Sequence, residues 1–393
     1  MFTEPAGQAV RVLTALERDF VDRDKTAENR AGGHGLNTAG VLMSSDQTGF
    51  VVGAAPAAAI VPLRVTKPRL GGNLPAPILF DSGVRNLRDA IRYAVDVAGC
   101  HAISISLGWF GSGSLHQAIR EAVAKNVIIC AASGNYVPLV VWPAAYDEVL
   151  AIAGCNAQRR PWSGASTGPQ VAVSGPAARV WVAGFSANGL PGAAQSDGTS
   201  FATATVAGIA ALWLAYHGRD YLLDRYRGEF TLTDVFRHVL RVSCDDFAPG
   251  SASSGYGAGI VNARRVLITP LPTAANLRAA RPRAAAALTA PTPVDTIAAV
   301  FPDVPREVLR QRLAALLQTP DDELDARLAG VEQELVFQIA TDPQLRAQLG
   351  APAQARSAHS ALAAPAAQAT LAGAPLSERL RARVNYRKSG KHP

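Results

Sequence analysis

Between Ser196 and Trp213 a polar glycine turn, Ser196-Asp197-Gly198-Thr199, hands Ser200 to a run of small and apolar residues that continues to Trp213. Such a run offers no face to water, so it predicts a buried helix. A serine in its first turn lies beside backbone N–H groups that lack intrahelical acceptors, at the positive end of the helix dipole. There the hydroxyl can act as a nucleophile in acyl transfer and the developing oxyanion can be held. The competing use is structural, with Thr199 or Ser200 capping a core helix. Two further segments carry chemistry-bearing side chains. Gly32-Gly33-His34-Gly35 leads a histidine into an apolar stretch, and Ala131-Ala132-Ser133-Gly134-Asn135 follows a strand-like run that ends at Cys130. Alone, a histidine at a helix start is usually structural, and Gly-Asn is an ordinary strand-ending turn.

Positioning these segments requires a rigid frame. From residue 50 to about 185, short β-branched runs alternate with helical patterns, which predicts an α/β fold: a parallel sheet covered by helices on both faces. The strand candidates are 60–65, 102–106, 127–130, 149–153 and 180–182. Apolar residues recur at helical spacing over 87–95 and 115–124.

Together the three segments resemble the subtilisin (subtilase) family of serine peptidases. Gly198-Thr199-Ser200-Phe201-Ala202 with Val206-Ala207-Gly208 is similar to the family's nucleophile motif, although Ala204-Thr205 stands where the family usually has Pro-His. Gly33-His34-Gly35 resembles its histidine motif, with Leu36-Asn37 in place of the more usual Thr-His, and Ala131 to Asn135 resembles its oxyanion segment. Ser106-Leu107-Gly108 resembles the segment against which substrate lies as an added strand. Weaker similarity at Val52 to Val65, Trp142-Pro143-Ala144, Gly184 and Tyr256 to Ala263 extends the resemblance over residues 32 to about 267. It implies a subtilisin-like fold and a serine endopeptidase with Ser200 as nucleophile, His34 as general base and Asn135 as oxyanion donor. Ser106, Leu107 and Gly108 would hold a peptide or protein substrate; no cofactor and no metal-ligating residue is read from the sequence, and calcium binding is left open.

One part is missing from the pattern. The family's triad aspartate ends the first sheet strand well upstream of the histidine, in Asp-Thr-Gly or Asp-Ser-Gly, and nothing in the 33 residues before His34 reads that way. Asp19, Asp22 and Asp24 lie in a charged segment with no strand pattern before it. The expectation is therefore a subtilisin-like sheet lacking its Asp-bearing strand, in a chain that begins too late. Two alternatives stand beside it: a catalytically inactive relative that grips extended peptides without cutting them, and another segment that supplies the acid. Loss of the acid from such a triad costs about four orders of magnitude in rate.

Composition narrows the remaining possibilities. The 393 residues are 48% hydrophobic and 18% charged, enough for a large core and an appendage. The net charge of +7 is spread over scattered arginines and a basic C-terminal end, which reads as a solvated tail rather than a nucleic-acid surface. Cys100, Cys130, Cys155 and Cys244 lack the paired spacing of a zinc site and read as buried free thiols. No export signal is expected, which makes the chain cytoplasmic as written and leaves secretion open if the start is incomplete; no run is expected to match a membrane span. The division that follows is a peptidase domain over 1–267, an Ala/Pro/Arg-rich linker over 268–293, a helical module over 294–350, and a disordered linker with basic tail over 351–393. Thr319-Pro320 followed by three acidic residues predicts the capped start of the module's second helix. The module is expected to pack on the main domain or on another protein.

Overall fold

The computed structural model describes residues 11–27, 33–45, 51–66, 81–108, 111–137, 139–185, 191–280, 292–301, 304–329 and 331–350. These form two compact units, one built mainly from residues up to Arg281 and the other mainly from Pro282 onward.

The first unit is organised by four parallel strands, β3 (Ala102–Ile105), β4 (Ile128–Ala132), β5 (Leu150–Cys155) and β6 (Val171–Pro176), ordered β3-β4-β5-β6. Every residue of β4 and β5 is buried, as expected of inner parallel strands written as continuous runs of Ile, Leu, Ala, Gly and Cys. Right-handed crossovers need covering helices; α2 (Asp81–Asp96) precedes β3 and α3 (Gly113–Ala124) links β3 to β4. Helix α4 (Thr199–His217) crosses the sheet, and its Val206, Ile209, Ala210 and Trp213 share one core with Ile128, Leu150, Ile152 and Val173. A side chain at Gly208 would have its Cβ 2.8 Å from that of Ala54, so only glycine allows this close approach.

Several expectations change. By length and composition α4 is apolar enough to cross a membrane, contrary to the expectation that no run would be; most of it is buried against the sheet, where small residues permit close packing. The strand expected at 180–182 is longer, β7 (Val180–Phe185), and pairs antiparallel with β8 (Pro191–Ser196), a strand with no β-branched residue to announce it. Where no strand pattern precedes Asp19, a two-residue strand β1 (Arg18–Asp19) pairs parallel with β2 (Leu63–Arg64). The segment 268–293 is not a plain linker: α7 (Ala263–Ile268) ends at its start, and α8 (Ala274–Ala280) buries Leu277 in the main core, while 281–291 lie outside the described residues. Cys130 and Cys155 are buried and Cys100 and Cys244 half-buried, all as free thiols; burial pushes Cys130 up to about 12.

The second unit holds α9 (Pro293–Val300), α10 (Arg306–Leu317), α11 (Leu324–Leu328), α12 (Glu332–Thr341) and α13 (Pro343–Gln348). Its core includes Val294, Leu309, Leu313, Leu328, Leu335 and Ile339. Thr292 and Asp295 form a capping box with Pro293 at the first helical position. The expected cap at Thr319 does not form. Its hydroxyl donates to the Leu317 carbonyl instead, and Asp321 begins a 3-10 turn whose carboxylate, with that of Asp325, pairs with Arg310. Residues 351–393, expected as a tail, lie outside the described residues.

Candidate active site

Strand β8 delivers Ser196 to the polar turn, and the base of the β7–β8 hairpin is closed by a hydrogen bond from the Arg179 N–H to the Asp197 carboxylate. The chain then enters α4 with Thr199 and Ser200 in its first turn. Ser200 is 5% exposed, and its Oγ donates to the Ser106 carbonyl at 3.5 Å. In return, the Ser106 hydroxyl donates to the Ser200 carbonyl at 3.0 Å. Ser106 follows β3, so the start of α4 is tied to the carboxyl end of a sheet strand, where open α/β sheets place their ligand sites.

His34 is the first residue of α1 (His34–Met43), with Gly33 as its N-cap. Its Nε2 lies 3.2 Å from the same Ser106 carbonyl oxygen, and its ring lies tilted near that of Phe201, at 6.2 Å between centroids. Serine and histidine therefore meet at one oxygen, and their separation cannot exceed two hydrogen-bond lengths. Among the described residues they do not bond each other. His34 is solvent-exposed by surface area yet lies among enough protein atoms for desolvation to lower the imidazole pKa below its ordinary 6.5, opposed in part by the Ser106 carbonyl. A neutral imidazole at neutral pH is the form a general base requires.

Asn135 follows β4 by three residues. Its Oδ1 accepts from the Thr199 N–H at 3.0 Å and from the Thr199 hydroxyl at 2.8 Å. The same hydroxyl lies 3.3 Å from the Gly134 carbonyl. With Oδ1 engaged twice, the amide can present only its Nδ2 donor toward the cleft, and Nδ2 lies beside Gly198, two residues before Ser200. Thr199, which the sequence offered only as a helix cap, is thus what fixes the orientation of this amide. Its position next to Ser200 was the one available signal.

No acid completes the site among the described residues. Asp19 ends β1 and is 2% exposed, but its carboxylate pairs with Arg64 and accepts from the N–H groups of Val21 at 2.6 Å and Asp22 at 3.1 Å. Asp22 also pairs with Arg64, at 2.8 Å, and Asp24 accepts from the Thr26 N–H at 2.9 Å. Residues 28–32, immediately before His34, lie outside the described residues. Ser200, His34, Asn135 and Ser106 are therefore brought together, with Leu107 and Gly108 continuing from Ser106, all within the first unit.

The model of the subtilase family matches residues 14–259. Thermitase of Thermoactinomyces vulgaris is 34% identical over 206 residues, covering 51% of this chain and 67% of thermitase. Subtilisin DY of Bacillus licheniformis is 30% identical over 189 residues, covering 47% of this chain and 64% of that protein. The chain spans half the length of a third relative, subtilisin E of Bacillus subtilis, which is 28% identical. Among solved structures, that of MycP1 with its N-terminal propeptide removed matches 65% of this chain and 86% of its own at a TM-score of 0.50 and 24% identity, a likeness of fold alone.

Proposed function

From the premise that this chain belongs to the subtilase family of serine peptidases, we propose that it is an endopeptidase that cuts peptide bonds through an acyl-enzyme on Ser200. His34 takes the hydroxyl proton as Ser200 attacks the carbonyl, and returns it to the leaving amine. The Asn135 amide and the Ser200 backbone N–H donate to the oxyanion. Substrate lies extended along Ser106 to Gly108, where backbone groups beyond the end of β3 can pair with it. The observation that carries this reading is the convergence of Ser200 Oγ and His34 Nε2 on the Ser106 carbonyl, next to an asparagine whose amide is oriented by Thr199. A chain without an acid on His34 is expected to run this chemistry about four orders of magnitude below a complete triad.

The test is covalent labelling of the folded full chain by a fluorophosphonate, with the modified residue located by peptide mapping. Labelling at Ser200 that is abolished by Ser200→Ala and slowed at least about a hundredfold by His34→Ala is the expected result. An unlabelled Ser200, both in this chain and in a chain extended by an upstream aspartate-bearing strand, would leave only a peptide-binding role.

A further inference from the structure

The chain reaches Ser200 through a turn that is pinned at two points. Beyond the last pair of the β7–β8 hairpin, Val180 opposite Ser196, lie Arg179 on one side and Asp197 on the other. The Arg179 N–H donates to Asp197 Oδ1 at 2.5 Å, and the next amide along, that of Gly198, donates to the Ala177 carbonyl at 2.8 Å. Ala177 is itself fixed to the sheet: it is fully buried, and its N–H donates at 2.9 Å to the carbonyl of Cys155, the last residue of β5. Thr199 and Ser200 follow directly. Two hydrogen bonds thus set the turn against the sheet, one made by backbone alone and one by the Asp197 side chain.

The side-chain bond has the harder task. Arg179 holds φ at +54°, the left-handed region that a residue with a Cβ keeps only where its surroundings hold it. Its guanidinium is engaged elsewhere, Nε donating to Gln195 Oε1 at 3.3 Å, so Asp197 serves as acceptor for a strained backbone amide rather than as the ion-pair partner of that arginine. What the clasp positions is the oxyanion side of the site. A Cβ built on Gly198 would lie 3.5 Å from Asn135 Nδ2 and 3.8 Å from the Ser200 nitrogen, so the turn passes beside both proposed oxyanion donors. A shift at Asp197 moves Ser200, its N–H and its hydroxyl relative to Asn135.

We propose that Asp197 is a positioning residue for Ser200, locking the turn before the nucleophile by accepting from the Arg179 N–H. This rests on the assignment of Ser200 as nucleophile. A misplacement of about 1 Å costs about a hundredfold in rate. The Gly198–Ala177 bond survives loss of the carboxylate and Asp197 faces solvent, so the turn relaxes only in part and the loss is about three- to tenfold.

The experiment follows inactivation of the folded full chain by a peptidyl diphenyl phosphonate up to saturation, which separates the limiting rate constant at Ser200 from the half-saturating concentration. Labelling by a small alkyl fluorophosphonate and melting curves accompany it. Asp197→Ala removes the acceptor, and Asp197→Asn keeps an acceptor oxygen without the charge. Asp197→Glu, which displaces the carboxylate by one methylene, takes the place of the alanine variant if that does not fold. The alanine variant is expected to lower the limiting rate constant about three- to tenfold with the half-saturating concentration within about twofold, while the asparagine variant keeps its rate constant within about twofold of the parent. A lowered melting temperature with an unchanged rate constant in the folded variant overturns the proposal, because a merely structural residue behaves that way. A change confined to the half-saturating concentration, or an asparagine variant as slow as the alanine one, overturns it as well. Failure of the fluorophosphonate to label Ser200 in the parent chain overturns the peptidase assignment, and this proposal with it.

Discussion

Replacing Thr199 by valine removes one oxygen from a buried site and little else, and it tests how Asn135, the proposed oxyanion donor, is held. The hydroxyl supplies one of two hydrogen bonds to Asn135 Oδ1, at 2.8 Å, and also reaches the Gly134 carbonyl at 3.3 Å; the Thr199 N–H, at 3.0 Å, survives the substitution. A neutral hydrogen bond contributes about 0.5 to 1.5 kcal/mol net. If that energy serves to aim Nδ2 at the oxyanion, Thr199→Val slows Ser200 acylation by about two- to tenfold. Removing the donor itself with Asn135→Leu costs far more, about 10² to 10³. The two losses must not add, because without the Asn135 amide there is nothing for the hydroxyl to aim. Labelling rates with a fluorophosphonate, measured for both single variants and the double, give a coupling energy of about 1 kcal/mol. Thr199→Ser, which keeps Oγ, stays within about twofold of the parent. Full slowing by Thr199→Val in the Asn135→Leu background would refute the reasoning and reduce Thr199 to a helix residue.

Two further outcomes follow from the site's electrostatics. Acylation of Ser200 should rise with pH along a single limb with its midpoint below 6.5, because desolvation by neighbouring protein atoms lowers the pKa of His34, exposed though its surface is, and only the neutral imidazole accepts the proton; a rate–pH profile with a midpoint at or above 6.5 contradicts the environment described for His34. Asp19→Asn should lower stability by about 2 to 4 kcal/mol in denaturant titration, since it strips a fully buried carboxylate from Arg64, yet leave acylation of the folded chain within about twofold; a loss near 10⁴ would identify Asp19 as the acid of the triad.

How much of this was legible in the sequence depended on whether an element's identity is a local property. Strands β4 and β5 are buried on both faces, so their apolar runs announce them without help from the rest of the chain. Helix α4 is legible for the same reason, because its small residues can serve only close packing. Strand β8, Pro-Gly-Ala-Ala-Gln-Ser, has no such signal and exists because β7 supplies its partner. The stretch after residue 268 shows the opposite failure. Its prolines read as a linker while its alanines and arginines favour a helix, and what decides for α8 is the burial of Leu277 in a core that it shares with Val266 and distant segments. The motif singled out Asn135, but the orientation of its amide has no sequence signature, because it arises from contact with Thr199, a residue distant in sequence.

The hydrogen bond of His34 sharpens what an acid would have to do. Its partner is a carbonyl oxygen, which only accepts, so Nε2 carries the proton and the imidazole lone pair resides on Nδ1. In that tautomer the nitrogen facing Ser200 cannot take a proton from it. Catalysis requires the proton to move to Nδ1, and the transfer is favourable only where an acceptor waits on that side. A carboxylate would fix the Nδ1–H tautomer and then stabilise the imidazolium formed during attack, the two tasks whose joint loss costs about 10⁴ in rate, or 5 to 6 kcal/mol. Asp19 cannot do this from its place against Arg64, since the charge that could support His34 is already neutralised. On the proposed reading, Ser106 holds Ser200 and His34 at one oxygen, and a carboxylate at His34 Nδ1 is the group that would ready the pair for proton transfer.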